Sequence, residues 1–88
     1  MLYVARVLRT DTGEILRNRV LDISCGVVKN IYSFNGETQS MILIDEACLF
    51  TFEQALCSVG AEITSRLCEG DMLYAFQVLP AGGFLLLE

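Results

Sequence analysis

Few side chains in this 88-residue sequence could do chemistry: four cysteines, eleven carboxylates and six basic residues. Histidine is absent, which excludes Ser-His and Cys-His nucleophile pairs and every zinc site that uses an imidazole. It also removes the side chain whose unperturbed pKa suits proton transfer near neutral pH. The sequence therefore favours a protein without catalytic activity. It assigns no catalytic, cofactor-binding or metal-ligating residue, and no cofactor.

The cysteines are spread along the chain at Cys25, Cys48, Cys57 and Cys68, and none forms a C-x-x-C pair. The last three, with Cys25 as a fourth, are soft metal ligands in principle. Their spacings of nine and eleven residues lack the paired knuckles of structural zinc sites. With no secretory signal at the start of the sequence, we predict that all four thiols are free and reduced.

Paired carboxylates occur at Asp45-Glu46 and at Glu69-Gly70-Asp71. Two carboxylates with loop oxygens can hold a hard cation, but neither pair has the ligand-rich spacing of a calcium loop. We interpret the first pair as the turn at a strand end and the second as the turn at a helix end.

The tripeptide Asp11-Thr12-Gly13 matches the catalytic tripeptide of aspartic proteases, whose retroviral members are dimers of chains about this long. In that family the tripeptide follows a buried apolar strand and precedes a small residue. Here Arg9 and Thr10 precede it and Glu14 follows. A nearby arginine favours the ionised carboxylate, whereas the protease pair must share a proton. We therefore interpret the tripeptide as a turn.

The chain is unusually apolar, with 53% hydrophobic and only 19% charged residues. An apolar surplus must fill the core or stay exposed, and exposed apolar patches often mark a partner surface. The leading hypothesis is an interaction or assembly module that self-associates or docks a protein partner. The alternative from another class is a small enzyme or ligand-binding protein that uses carboxylates or thiols.

The charge pattern and the ends of the sequence limit the other partners and the location. The net charge is −5 and no basic run occurs, so we expect neither nucleic acid nor an anionic membrane as a partner. The first ten residues lack a signal-peptide core. No run approaches the roughly 20 apolar residues of a membrane span. The expectation is a cytoplasmic protein whose residues 1–88 form one domain.

The pattern of apolar residues predicts a mostly β fold, a sandwich or roll of about six short, mainly antiparallel strands. Gly-bearing breaks at Cys25-Gly26 and Asn35-Gly36 separate the second, third and fourth strands. We expect these three to form an antiparallel meander on which the rest of the chain packs. The predicted strands are Leu2–Leu8, Asn18–Ser24, Val27–Phe34, Ser40–Asp45, Met72–Leu79 and Phe84–Glu88.

One amphipathic helix is predicted over Thr51–Cys68, packed on the sheet. Thr51 and Gln54 have the spacing of a capping box, and Gly60 is expected to weaken the helix or to divide it into two short pieces. An apolar stripe at helical spacing should face the sheet. Its members are Phe52, Ala55, Leu56, Val59, Ile63 and Leu67.

Two segments resemble the small N-terminal β-domain of the cyclic amidohydrolase superfamily, which includes dihydropyrimidinase-like enzymes. The first is the opening pattern YVARVLRT, a Gly turn, and NRVLDISCGVVKNI; the second is Gln77–Phe84, QVLPAGGF. The resemblance implies a non-catalytic β-domain like the one that lies beside the family's catalytic barrel. The family's metal-binding histidines follow the second segment, where this sequence has Leu85–Glu88. The predicted helix has no counterpart there, and no catalytic residue carries over.

Overall fold

The computed structural model describes residues 1–36, 40–67 and 72–88. The described chain is mostly β, as predicted, with six strands and two short helices. The strands are β1 (Leu2–Arg9), β2 (Ile15–Ser24), β3 (Val27–Ser33), β4 (Met41–Phe50), β5 (Tyr74–Val78) and β6 (Phe84–Leu86). The helices are α1 (Phe52–Ser58) and α2 (Ala61–Thr64). No helix in the described ranges is long and apolar enough to cross a membrane.

All six strands lie in one sheet, in the order β3-β2-β1-β4-β5-β6. Every neighbouring pair is antiparallel except β1 and β4, which run parallel. A further pair joins β3 to β5 at Val27 and Tyr74, and the Val28 amide donates to the Leu73 carbonyl at 3.0 Å. This contact curls the sheet into a partly open barrel.

The predicted meander is correct for its first hairpin and wrong for its third strand. β2 and β3 pair across the turn at Cys25 and Gly26, whose φ angles of 55° and 78° suit a two-residue hairpin turn. β4 does not pair with β3; it crosses to the far side of β1. A parallel pair needs a long connection, which the β2–β3 hairpin supplies.

The predicted end of the fourth strand at Asp45 is also wrong, because β4 continues to Phe50. The interpretation of Asp45-Glu46 as a turn fails for the same reason. Both carboxylates lie within a strand and pair with arginines of the neighbouring strand β1: Arg6 with Asp45, and Arg9 with Glu46. Cross-strand ion pairs make charged residues compatible with a strand.

The core lies on both sides of the sheet. The first cluster fills the inside of the curled sheet and draws on four strands and the chain end; its buried members are Ala5, Leu8, Leu21, Ile23, Ala47, Leu49, Ala75 and Leu87. The second cluster lies under the helices around Ala55, Tyr74 and Phe76. The rings of Phe50 and Phe84 pack there with centroids 5.3 Å apart and an edge-to-face tilt of 73°, a favoured aromatic geometry.

The predicted helix over 51–68 forms two short helices, the division expected at Gly60. The capping box is present: the Gln54 amide donates to Thr51 Oγ1 at 3.2 Å, and the Thr51 amide donates to Gln54 Oε1 at 3.0 Å. Gly60 has φ of +110°, which ends α1 early. Ala55 is buried at the centre of this short helix, whereas Leu56, predicted to face the core, is 44% exposed. Cys68 lies outside the described residues.

Candidate functional site

The alternation of inward-facing and outward-facing side chains is interrupted in the middle of β1, where it lies between β2 and β4. We call this interruption the phase change. Pairing of β1 skips Arg6 on both sides, passing from Ala5 to Val7 against β2 and against β4. Ala5 and Leu8 both belong to the inner core, although alternation along a regular strand would put them on opposite faces. Asn18 of β2 has φ of 53°, a region that Asn tolerates better than most residues.

An exposed ion pair marks this phase change. Arg6 Nε donates to Asp45 Oδ1 at 3.3 Å, and the two side chains are 66% and 87% exposed. An ion pair this exposed contributes about 0–1 kcal/mol to stability. The pair also neutralises local charge, because Asp45, the one carboxylate within Met41–Asp45, lies beside the guanidinium of Arg6.

An apolar row crosses four strands on the face opposite the inner core. The register aligns Tyr32 with Val20, Val20 with Val4, and Val4 with Leu43. We call these four residues the outer row. Its centre is covered, since Val4 and Val20 are 5% and 1% exposed, whereas Leu43 at its β4 end is 69% exposed. The side chain of Leu43 therefore leaves apolar surface in contact with solvent beside two buried valines.

β4 has a free edge next to this leucine. β1 pairs with β4 from Met41 onwards, but β5 pairs with it only from Ala47 to Phe50. Among the described residues, none pairs with Met41–Asp45 on the side away from β1. We call this segment the free edge of β4. Ile42, on the opposite face from Leu43, is 43% exposed, so the edge is apolar on both faces.

A groove of about 530 Å³ runs along the free edge. It brings the phase-change residues together with the chain that leaves β5. Its lining residues are Val4, Arg6, Asn18, Phe34, Leu43, Ile44, Asp45, Gln77, Val78 and Pro80. None of the described cysteines is among them, and the groove presents amide and charged side chains beside apolar ones.

The other described residues that were singled out from the sequence do not line this groove. Asp11-Thr12-Gly13 forms a turn: the Gly13 amide donates to the Thr10 carbonyl at 3.1 Å, and Gln54 Nε2 donates to the Asp11 carbonyl at 2.9 Å. Glu69, Gly70 and Asp71 lie outside the described residues. Within the part of the chain that is described, no cluster of three or more acidic or cysteine ligands could hold a metal.

The three described thiols form no disulfide and no metal-ligand cluster. Cys25 and Cys57 are exposed, Cys48 is buried, and all three are free. Burial raises the pKa of the Cys48 thiol, and the carboxylate of Glu46 adds to the rise while Arg9 opposes it. A raised pKa keeps this thiol protonated and unreactive at neutral pH. That all four cysteines are reduced stays a prediction, because Cys68 is not among the described residues.

Comparison of the chain with protein-family models, with curated proteins and with solved structures found no match. The resemblance to the amidohydrolase β-domain therefore stays a prediction. Sequence reasoning did not single out Arg6, Asn18 or the free edge. Asn18 offered a usable signal, since an Asn inside an apolar strand pattern suggests an irregular backbone. The free edge offered none, because strand order cannot be read from spacing.

Proposed function

We propose that the protein is a non-catalytic assembly module that associates with a second copy of itself through the free edge of β4 and the apolar side chains on it. The observation that carries the proposal is Leu43, which is 69% exposed at the β4 end of an apolar row whose two central valines are buried. Exposed leucine and isoleucine on an unpaired strand favour association over solvation.

A second copy suits this surface because the surface is apolar and locally neutral. Most soluble oligomers are two-fold dimers in which the same patch meets itself. Such a patch must not repel its own image. Asp45 is the one charged residue of the free edge, and Arg6 of the same chain lies 3.3 Å from it. Two copies can therefore approach without an uncompensated carboxylate at the contact.

A pair of matched variants tests this proposal. Leu43→Lys places a charge at the contact and should raise the dimer dissociation constant by at least about tenfold, as expected for a central anchor. Leu85→Lys adds the same charge at another exposed leucine, 53% exposed on β6, and should leave association unchanged. Sedimentation velocity over a dilution series measures both. Equal behaviour of the two variants would contradict the proposal.

The groove supports ligand binding as a second candidate function. Arg6 and Asp45 present one cation and one anion beside the amides of Asn18 and Gln77, an arrangement suited to a small zwitterion. Titration with glycine, followed by NMR of the side-chain amides, tests it. Saturable shifts at Gln77 that disappear in Arg6→Gln would favour this candidate, and the absence of shifts at millimolar glycine would exclude this class of ligand.

A further inference from the structure

Among the described residues, the sheet has four edge segments on which a strand could be added: Met41–Asp45, β3, β6 and the start of β2, which β3 does not reach. They differ in protection, and the unpaired part of β2, Ile15–Arg17, is only three residues long and ends in an arginine. β3 carries Lys29 near its unpaired edge, and β6 is only three residues long. Lysine and shortness are two of the devices that keep natural edges from pairing. Met41–Asp45 has neither device. It contains no lysine, proline or glycine, and it is the first half of a strand of ten residues.

We infer that two copies join by antiparallel pairing of β4 with β4, so that one sheet runs through the dimer. This inference rests on the proposed self-association and adds its backbone geometry. A two-fold axis perpendicular to the sheet turns the free edge onto its own image with reversed direction, which is the antiparallel arrangement. The unpaired amide and carbonyl groups of each edge then satisfy those of the other.

The side chains select the register of this pairing. When the axis passes through Leu43, Leu43 faces its own image and Ile42 faces Ile44. Met41 then faces Asp45, so no carboxylate lies opposite a carboxylate, which would destabilise the pair. An axis at Asp45 would bring the two aspartates together. Residues directly opposite in a pair lie on one face, so the outer rows of the two copies meet at Leu43 and form one continuous apolar row.

Cysteine cross-linking tests the register. In Leu43→Cys the two introduced thiols face each other across the axis, within disulfide reach. In Met41→Cys they are separated by roughly 14 Å along the strands, too far for a bond. Under mild oxidation, peptide mapping should find the 43–43 disulfide in the first variant and no 41–41 disulfide in the second. A 41–41 disulfide would overturn the inferred pairing. So would a Leu43→Cys variant that is dimeric before oxidation and then forms no 43–43 disulfide; links through the exposed Cys25 and Cys57 are recognised in the same peptide map.

Amide hydrogen exchange of the unmodified chain separates failure of this inference from failure of the proposed function. In concentrated samples, the amides of Met41–Asp45 that point away from β1 should exchange at least about tenfold more slowly than in dilute samples. If dimers form and Leu43→Lys weakens them while these amides do not change, self-association stands and strand pairing is wrong. If no dimer forms at any concentration, both are wrong.

Discussion

Cys25 occupies a backbone position that disfavours its side chain. It begins the β2–β3 turn with φ of 55°, in the left-handed region that costs most residues about 1–2 kcal/mol. Asn tolerates this region, and Asn-Gly is a preferred pair for such a turn. Cys25→Asn should therefore raise the free energy of unfolding by up to about 1 kcal/mol, measured by urea denaturation.

A second exposed thiol provides the control for Cys25. Cys57 lies in α1, where the backbone is helical, and Ser and Cys have similar helix propensities. Cys57→Ser should therefore leave stability nearly unchanged. If Cys25→Asn instead lowers the free energy of unfolding, the thiol makes a contact that stabilises the fold by more than the backbone strain that Asn removes.

Cys48 predicts how stability depends on alkaline pH. Burial raises the pKa of its thiol above the ordinary value of 9.0, so the unfolded chain loses this proton at lower pH than the folded chain. The contribution is fully present below pH 9.0 and is lost as the pH rises towards the folded pKa. Urea denaturation across this range should show a steeper fall for the natural chain than for Cys48→Ala, and parallel curves would contradict the assignment.

Among the secondary-structure elements, β5 contributes more to the second core cluster through Phe76 than α1 does through Leu56. Phe76 is fully buried, and Phe76→Ala should lower the free energy of unfolding by about 3–5 kcal/mol. A domain is stable by only about 5–15 kcal/mol. Leu56 is 44% exposed, so Leu56→Ala should lower the free energy of unfolding by less than about 1 kcal/mol. Thermal denaturation of both variants measures this contrast. If Leu56→Ala unfolds, Leu56 belongs to the core, as predicted from the apolar stripe in the sequence.

The elements whose signals are local were predictable from the sequence. The capping box at Thr51 and Gln54, the turn at Cys25-Gly26 and the break at Gly60 each depend on residues close in sequence, and each is present. The extension of β4 was not predictable, because Asp45 and Glu46 are compatible with a strand only beside Arg6 and Arg9 of β1. Leu56 was misassigned because a helix cut short by Gly60 buries a narrower face.

The candidate site was beyond sequence reasoning for a related reason. It arises from the order of strands, which places β4 beside β1 and leaves Met41–Asp45 without a second neighbour in the described chain. The apolar surplus left two outcomes open, a larger core or exposed hydrophobic surface, and did not decide between them. The location of exposed surface at Leu43 follows only from the long-range pairing of β1 with β4.

In the whole molecule, the described sheet leaves Met41–Asp45 unpaired on one side, and the proposed function is that a second copy completes it. Several large apolar side chains remain exposed after the two core clusters are filled, and among them Leu43 has the greatest exposure. A partly open barrel with an apolar free edge satisfies more of its backbone and apolar surface as a dimer.

Sedimentation equilibrium of the natural chain under reducing conditions distinguishes a dimer from a monomer. Reduction is needed so that exposed Cys25 and Cys57 do not link copies covalently. The proposed self-association predicts a reversible, concentration-dependent equilibrium between the 9.8 kDa chain and a species of twice that mass, with the dimer dominant at high concentration. A single species of 9.8 kDa at every concentration would contradict it.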